Sequence, residues 1–241
     1  MKQNLSIILI ANNEEQNIGV MIEGLLKNYR EEILELIVVD DCSTDKTGFV
    51  VESWIDIDSR VKLVKRNPPA GVGRALRTGF GSVSSDADYI LSMDSDFTHN
   101  IQDVGLLIHA IEEGGCDGVI GSRFTKGGRL ISYPFFKKIM NRAFHAVVKT
   151  VFNVKQADIS NNFKLYKSDI FRQLPWHSND YAMNAETGLL PILAGYRIKE
   201  VPITWVGRTN RMGKSKFHIA KVGGSYIGVI ALARKFLRSR R

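Results

Sequence analysis

The sequence predicts an α/β fold with a mainly parallel central sheet flanked by helices. Short apolar runs alternate with amphipathic helical patterns through the first half of the chain, as in repeated strand–helix–strand units. The chain has 241 residues, of which 44% are hydrophobic and 24% charged, which suits one soluble domain with a substantial core. No run approaches the roughly 20 apolar residues of a membrane-spanning helix, so none is expected.

Five apolar runs are predicted as strands buried on both faces of the sheet. They are SIILI (6–10), ELIVV (35–39), VKLVK (61–65), YILSM (89–93) and DGVIG (117–121). Between them, apolar residues recur at helical spacing over 18–26 and 101–111. Asn13 and Gln16 have the spacing of a capping box, which places the start of the first helix near Asn13.

The second half predicts fewer strands and two long helices. Residues 133–152 form an amphipathic pattern with apolar residues on one side, and residues 217–238 form a final basic amphipathic helix. Residues 163–167 and 196–205 are predicted as further strands. The sequence contains no internal repeat, low-complexity stretch or linker, so residues 1–241 are predicted to be a single domain.

The cysteines and the N-terminus indicate a cytoplasmic protein. Cys42 and Cys116 are isolated thiols without the spacing of a metal site or a disulfide framework, which favours a reducing compartment. The apolar run near the N-terminus is too short for a secretory signal.

Charge is distributed unevenly along the chain. Residues 1–117 carry ten Lys and Arg against twenty Asp and Glu, whereas residues 118–157 carry eight basic residues and no acid. Ten basic residues and no acid follow Glu200. Two basic tracts without acids indicate an anionic partner, namely a lipid headgroup, a membrane surface, a phosphorylated substrate or nucleic acid. The alternative is a solvated, charged surface.

Carboxylates follow three of the predicted strands. They are Glu14, Asp40, Asp41, Asp94 and Asp96. Because ligands bind at the carboxyl ends of parallel strands, we expect these side chains at one edge of the sheet. Their mutual repulsion predicts a cation between them, and hard oxygen ligands favour Mg²⁺ or Mn²⁺. For any single residue the alternative is capping of the following helix.

Other phosphate and catalytic motifs are weak or missing. The glycine turn at 71–79 lacks the third glycine of a dinucleotide site and the Gly-Lys-Ser/Thr of a P-loop. The sequence has neither a Gly-x-Ser-x-Gly turn nor an HExxH motif. With these motifs excluded, the ligand best suited to the acidic edge is a nucleoside diphosphate held there by a metal. The metal would also stabilise the negative charge of the diphosphate as it leaves.

The chain resembles glycosyltransferase family 2, and within it the dolichol-phosphate mannosyltransferase, or polyprenyl-phosphate glycosyltransferase, group. The resemblance is carried by five segments in order, SIILIANNEEQNI, IVVDDCSTDKT, MDSDFTHN, GSRFTKGG and RTNRMGKSKF. It implies a GT-A fold, the Rossmann-like fold of nucleotide-diphospho-sugar transferases. It also implies an inverting, metal-dependent transferase that moves a hexose from GDP-mannose or UDP-glucose to dolichyl or polyprenyl phosphate.

The resemblance also assigns residues to roles. Nucleotide-sugar binding falls to Ile10, Asn12, Glu14, Val39, Asp41, Asp94, Ser95, Asp96, Arg208, Arg211 and Lys216. The metal would be held by Asp96 directly, with Asp94 and Thr98. The acceptor phosphate would meet Arg123, Lys137 and Ser160, and the catalytic residues would be Asp94, Asp96 and Arg123. The chain thus divides into a nucleotide-sugar and metal half (1–121), an acceptor half (122–216) and a basic helix (217–241).

Several positions depart from the family pattern. Ile10 and Asn12 replace a usual Pro and Tyr, and Thr98 stands where a Gln often completes the metal site. Lys137 replaces a common Arg, and Asn161-Asn162 replaces Ser-Gly. The spacing of the last segment leaves the choice between Arg208 and Arg211 open. These departures bear on the substrate rather than on the reaction class.

The acceptor chemistry favours a phosphate. A phosphate monoester has a second pKa of about 6 and is mostly dianionic at neutral pH, so it needs cations rather than a general base. The enzyme alternative is transfer to a saccharide hydroxyl, for which Glu186 could serve as the base. A basic nucleic-acid-binding module is the non-enzyme alternative. The basic tracts of this chain lack the interleaved aromatic residues on which bases would stack, which disfavours that alternative.

The basic C-terminus predicts peripheral attachment at the cytoplasmic face of a membrane. Arg234, Lys235, Arg238, Arg240 and Arg241 lie beside two apolar residues. Such a cluster is attracted to anionic lipid. Docking to a separate membrane subunit and a soluble terminal helix are the alternatives.

Overall fold

The computed structural model describes residues 4–207 and 219–240, which contain nine strands and eight α-helices. The strands are β1 (Leu5–Ala11), β2 (Ile33–Asp40), β3 (Val61–Lys65), β4 (Tyr89–Asp94), β5 (Gly118–Ser122), β6 (Arg129–Ile131), β7 (Lys164–Lys167), β8 (Ile198–Pro202) and β9 (Thr204–Val206). The helices are α1 (Ile18–Asn28), α2 (Thr47–Ile57), α3 (Val72–Gly81), α4 (Asp103–Glu112), α5 (Phe135–Phe152), α6 (Ser168–Gln173), α7 (Ala182–Leu193) and α8 (Ile219–Ser239).

The central sheet has the strand order β3-β2-β1-β4-β7-β5-β8. β1 is parallel to both β2 and β4, and β3 and β8 extend the parallel pairing at the two ends. β7 is antiparallel to its neighbours β4 and β5. A mainly parallel sheet flanked by helices is therefore confirmed. The antiparallel insertion brings the loop before β7 to the edge at which β4 and β5 end.

Alternating side chains of the strands supply two cores, one on each face of the sheet. Ile7 and Leu9 of β1 pack with the apolar faces of α1 and α4, while Ile8 lies in the opposite core with residues of α3 and α7. Because successive side chains point to opposite faces and helices cover both faces, every position of such a strand is buried. The strands are therefore continuous apolar runs in the sequence. β3 is the exception, because it is an edge strand whose Lys62 and Lys65 are exposed.

The predicted capping box at Asn13 is wrong. The first helix begins at Ile18, and Asn13 has a φ of 57°, which is left-handed backbone. Its side-chain Oδ1 accepts a hydrogen bond from the Thr44 amide at 2.7 Å. Asn13 therefore joins the loops that follow β1 and β2, a long-range role that its neighbours in sequence could not indicate.

Helix α5 forms where the pattern predicted it, but most of its apolar residues do not face the core. The buried residues of α5 are Asn141, His145 and Val148, whereas Phe136, Ile139 and several other large apolar side chains are exposed. Within the described ranges 4–207 and 219–240, no helix is long and apolar enough to cross a bilayer.

Candidate active site

The carboxyl ends of β1, β2 and β4 bring the three predicted donor-binding segments to one edge of the sheet. The register pairs Ile10 with both Val39 and Asp94. Just beyond the strands, Asn12 Nδ2 donates to the carbonyl oxygen of Asp41 at 2.6 Å. The side chain of Val39 is fully buried in the core, so only its backbone could contact a nucleotide.

Asp94 and Asp96 are half-buried carboxylates on the turn that ends β4. Ser95 lies between them, 2% exposed, and its hydroxyl donates to the Ile10 carbonyl oxygen at 2.9 Å, which fixes the turn to β1. Asn162 Nδ2 donates to Asp94 Oδ1 at 2.9 Å and orients that carboxylate. Thr98 begins a short 3-10 turn immediately downstream.

The chemistry of this turn fits a hard divalent cation. It presents two carboxylates, one of them oriented by Asn162, and a nearby hydroxyl, which are the oxygen ligands that Mg²⁺ and Mn²⁺ prefer. Across the described part of the chain, no group of three or more His, Cys, Asp or Glu residues is placed to hold a metal. The protein would therefore supply few ligands and leave the others to a diphosphate and water, as is usual for metals at phosphate-transfer sites.

The other three carboxylates have partners within the protein. Asp41 forms an ion pair with Arg66 and accepts a hydrogen bond from the Gly71 amide at 2.6 Å. Asp40 accepts from the backbone of the following loop at 3.0 Å, and Glu14 accepts from a side-chain amide at 2.7 Å. Arg66 thus contributes a positive charge at this edge that the sequence did not indicate, and the cation predicted beside Asp94 and Asp96 stays a prediction.

The glycine turn before α3 has a packing role. A Cβ on Gly71 would clash with the carbonyl oxygen of Asn179, and one on Gly73 would clash with that of Ser178. Both glycines thus allow the start of α3 to approach the backbone of residues 178–179. This close approach accounts for the turn without a phosphate, in agreement with its weak match to phosphate-binding motifs.

Arg123 follows β5 and forms a buried, two-pronged ion pair with Asp158. Its Nε and Nη2 donate to Oδ2 and Oδ1 at 2.7 and 2.8 Å, and its backbone amide donates to Oδ2 at 2.9 Å. Arg123 is 9% exposed and Asp158 is fully buried. Burial opposes both charges, but their attraction prevails and raises the pKa of Arg123 while lowering the pKa of Asp158. The guanidinium is thereby held charged in a fixed orientation.

The inner face of α5 contacts this ion pair. His145 Nε2 lies 3.7 Å from Asp158 Oδ1, and burial lowers the pKa of His145 despite the nearby carboxylate. Lys137, a predicted acceptor residue, places its Nζ 5.5 Å from the centre of the Tyr133 ring. Burial, opposed in part by Arg123, raises the pKa of Tyr133. Both predicted cations, Arg123 and Lys137, therefore lie near Tyr133.

The loop of residues 158–162 connects the predicted donor residues with the predicted acceptor residues. Its first residue binds Arg123, and its last, Asn162, binds Asp94. Between them, Asn161 Nδ2 donates to the Gly121 carbonyl oxygen at 2.6 Å. The Ser160 hydroxyl is buried and has no hydrogen-bond partner among the described residues. A buried polar group without a partner is costly, so a ligand oxygen at this position would stabilise it.

Lys164 is a buried cation that the sequence analysis missed. Its Nζ donates to the Asn184 carbonyl oxygen at 2.7 Å and to Thr187 Oγ1 at 3.0 Å. Burial lowers its pKa to about 7, partly opposed by the charges of Asp158 and Asp94. Those two carboxylates belong to the predicted acceptor and donor groups, so Lys164 lies near both groups. Its position within a short strand gave no sign of this.

Three predicted phosphate ligands, Arg208, Arg211 and Lys216, lie outside the described residues. The remaining predicted residues fall into two neighbouring groups. The donor group follows β1, β2 and β4, and the acceptor group comprises Arg123, Lys137 and Ser160.

The structure has the GT-A fold. Glucosyl-3-phosphoglycerate synthase from Mycobacterium tuberculosis, solved with Mn²⁺ and uridine-diphosphate-glucose, matches the structure with a TM-score of 0.70 and 20% identity over 95% of this chain and 77% of that chain. The complex of the same enzyme with Mn²⁺, UDP-glucose and phosphoglyceric acid matches with a TM-score of 0.71 and 19% identity, over 98% and 79% of the two chains.

The chain belongs to glycosyl transferase family 2, whose model matches residues 6–175. Undecaprenyl-phosphate mannosyltransferase of Micrococcus luteus is 29% identical over 199 residues, covering 81% of this chain and 80% of the relative. Polyprenol monophosphomannose synthase of Mycolicibacterium smegmatis is 25% identical over 230 residues, covering 93% and 83%. The resemblance noted in the five sequence segments is confirmed. Membership of an enzyme family contradicts the nucleic-acid-binding alternative.

Proposed function

We propose that this glycosyltransferase is an inverting enzyme that moves a hexose from a nucleotide sugar to dolichyl or polyprenyl phosphate. Mannose is favoured over glucose, because both curated relatives above are named for mannose transfer to, or synthesis of, a polyprenol phosphate. The donor would correspondingly be GDP-mannose, with UDP-glucose as the second choice.

One observation supports this function more than any other. The loop of residues 158–162 contacts Asp94 on the donor side and Arg123 on the acceptor side. A nucleotide sugar on the carboxylates and a phosphate at the arginine would therefore approach each other across that loop. Lys137 and the unpartnered hydroxyl of Ser160 would complete the acceptor phosphate site.

The donor side would hold the metal and the diphosphate. Asp96 would bind Mg²⁺ or Mn²⁺ directly, with Asp94 and Thr98 beside it. The cation would take up the negative charge that develops on the leaving diphosphate. Glu14, Asp41 and the backbone of Val39 would hold the base and ribose, and Lys216 with Arg208 or Arg211 would meet the phosphates.

The acceptor needs no general base in this scheme. A phosphate monoester is already ionised at neutral pH, so the protein only has to hold it and orient it for attack on the far face of the sugar. The saccharide-hydroxyl alternative depends on Glu186, which is fully buried. Its two carboxylate oxygens accept the backbone amides of His177 and Ser178 at 2.7 and 2.8 Å. Glu186 therefore has a structural role, and the alternative loses its base.

The enzyme would act at the cytoplasmic face of a membrane as a peripheral protein, since its proposed acceptor carries a lipid tail. A separate membrane subunit could assist the attachment. The division into a donor half, an acceptor half and a basic terminal helix follows the same scheme.

The test is transfer of labelled hexose to a short polyprenyl phosphate, compared with transfer to a free saccharide. GDP-mannose and UDP-glucose are each supplied with Mn²⁺ or Mg²⁺. We expect a polyprenyl-phosphate hexose and no saccharide product. Transfer to the saccharide without any lipid-phosphate product would contradict the proposal.

A further inference from the structure

The outer side of α5 is an exposed apolar surface, here named the α5 face. Its large side chains and their exposed fractions are Phe135 76%, Phe136 56%, Ile139 45%, Met140 43%, Val147 48% and Val151 38%. A contiguous apolar patch of this kind marks an interaction site on a soluble protein. No segment within residues 4–207 or 219–240 covers this side of the helix.

Cations border the α5 face. Lys138, Arg142 and Lys149 recur at helical spacing, so they lie along one edge of the apolar stripe, and Lys137 lies near its other edge. Residues 118–157, which include all of α5, contain no Asp or Glu. An apolar stripe bordered by cations, without any acid nearby, is complementary to an anionic bilayer rather than to an apolar protein groove.

The basic helix α8 is less suited to enter a bilayer. Of its described side chains, Ile227 is the one large apolar group that is strongly exposed. Val229 and Ala233 are buried in the core layer that contains residues of α7. The exposed basic residues near its end could approach lipid headgroups, but most large apolar groups of its described part are already packed against the protein.

The opposite side of α5 reaches the acceptor site. Asn141 and His145 are buried there, and Asn141 Nδ2 donates to the Tyr133 hydroxyl at 2.8 Å. His145 borders the ion pair of Arg123 and Asp158. One helix therefore separates an exposed apolar face from the candidate acceptor phosphate site by little more than its own diameter, about 10 Å.

We propose that the α5 face docks on an anionic bilayer and brings the acceptor site to the depth of lipid phosphates. The identity of the delivered lipid rests on the proposed function, whereas docking itself does not. The apolar side chains would enter the boundary between headgroups and acyl chains, and the bordering cations would contact anionic headgroups.

The experiment is vesicle flotation of the full chain. Vesicles of phosphatidylcholine mixed with phosphatidylglycerol are compared with vesicles of phosphatidylcholine alone. We expect the wild type to float with the mixed vesicles, and the double variant Phe136→Asp/Met140→Asp to lose at least tenfold in bound fraction. The matched control is Val20→Asp/Ile57→Asp, which alters two exposed apolar residues on α1 and α2 and should bind as the wild type.

Further measurements separate this proposal from its rivals. The variant Phe136→Asp/Met140→Asp should transfer hexose to a short, water-soluble polyprenyl phosphate at the wild-type rate, which also shows that it is folded. Wild-type vesicle binding by this variant, or no vesicle binding by the wild type, would overturn the proposal. So would a wild-type dimer that this variant dissociates, because the face would then join two copies. Failure of transfer with intact docking would instead contradict the proposed function.

Discussion

Asp96 is the residue on which donor turnover depends most directly in this account. We expect Asp96→Ala to lower metal-dependent transfer by about 100-fold or more, since loss of one group that stabilises developing charge costs that much. The measurement is the transfer rate as a function of Mn²⁺ concentration. Asp86→Ala removes an exposed acid before β4 and should leave the rate unchanged. A fully active Asp96→Ala variant would place the metal elsewhere.

Asn162 is expected to position Asp94. Its amide donates to Asp94 Oδ1 at 2.9 Å, so Asn162→Ala should weaken activation by Mn²⁺ about 10- to 100-fold, as loss of a residue that orients a metal ligand does. The neighbour Asn161 binds the Gly121 carbonyl oxygen instead. Asn161→Ala is thus the matched control, and an equal loss in both variants would indicate a general disturbance of the loop.

A variant that tests Arg123 must keep a positive charge beside the buried carboxylate of Asp158. Arg123→Ala would strand the carboxylate of Asp158, and breaking a buried ion pair in this way costs about 3–5 kcal/mol of stability. Arg123→Lys keeps the charge but loses the two-pronged contact. We expect its kcat/KM for polyprenyl phosphate to fall at least tenfold, with donor affinity measured by calorimetry nearly unchanged. A selective loss of donor affinity would reassign Arg123 to the donor side.

At the residue scale, the sequence indicated the charged side chains that follow the strands. It did not indicate the residues that hydrogen-bond to these side chains and orient them. Asp94, Asp96 and Arg123 stand out because of local motifs. Asp158 binds Arg123 across 35 residues of chain, and Asn162 binds Asp94 across 68. No local pattern carries that information, because these contacts depend on the position of β7 between β4 and β5.

At the scale of secondary structure, strand positions were easier to predict than strand direction and helix orientation. The five strands of the first half end within two residues of their predicted ends. Four of them are buried strands, which are continuous apolar runs in sequence, and β3 is an edge strand with two exposed lysines. The same kind of run did not reveal that β7 is antiparallel. The amphipathic pattern of α5 predicted a helix, but periodicity alone cannot say whether the apolar side meets the core or a partner.

Lys164 on β7 predicts how stability depends on pH. Burial lowers its pKa from 10.5 to about 7, so between these values the unfolded chain binds more protons than the folded one. The free energy of unfolding should therefore rise with pH across this window, by at most about 1.4 kcal/mol per pH unit. Below pH 7 the lysine is charged in both states, so the cost of burying its charge is fully present there.

The comparison variant is Lys164→Met, which does not titrate. We expect the free energy of unfolding of the wild type, relative to that of the variant, to increase by roughly 2–4 kcal/mol between pH 7 and pH 10. Urea unfolding at several pH values measures this difference and cancels the titration of other groups. A difference that stays constant with pH would show that Lys164 is charged in the folded protein throughout.

At the scale of the whole molecule, the uneven charge of the sequence corresponds to the two sides of the site. The acidic first half supplies the carboxylates after β1, β2 and β4, and the basic second half supplies Arg123, Lys137 and the cations of α5. Under the proposed function, a cation would bring an anionic donor to the first side, while the second side would attract an anionic acceptor and an anionic surface. The segregation of charge would then serve both substrates.

The central claim is tested most directly by a crystal structure with Mn²⁺, a nonhydrolysable nucleotide sugar and a short polyprenyl phosphate. We expect an Asp96 oxygen at about 2.2 Å from the metal. We also expect the acceptor phosphate within about 3 Å of the Arg123 guanidinium. A metal bound away from Asp96, or a phosphate seated far from Arg123, would contradict the account.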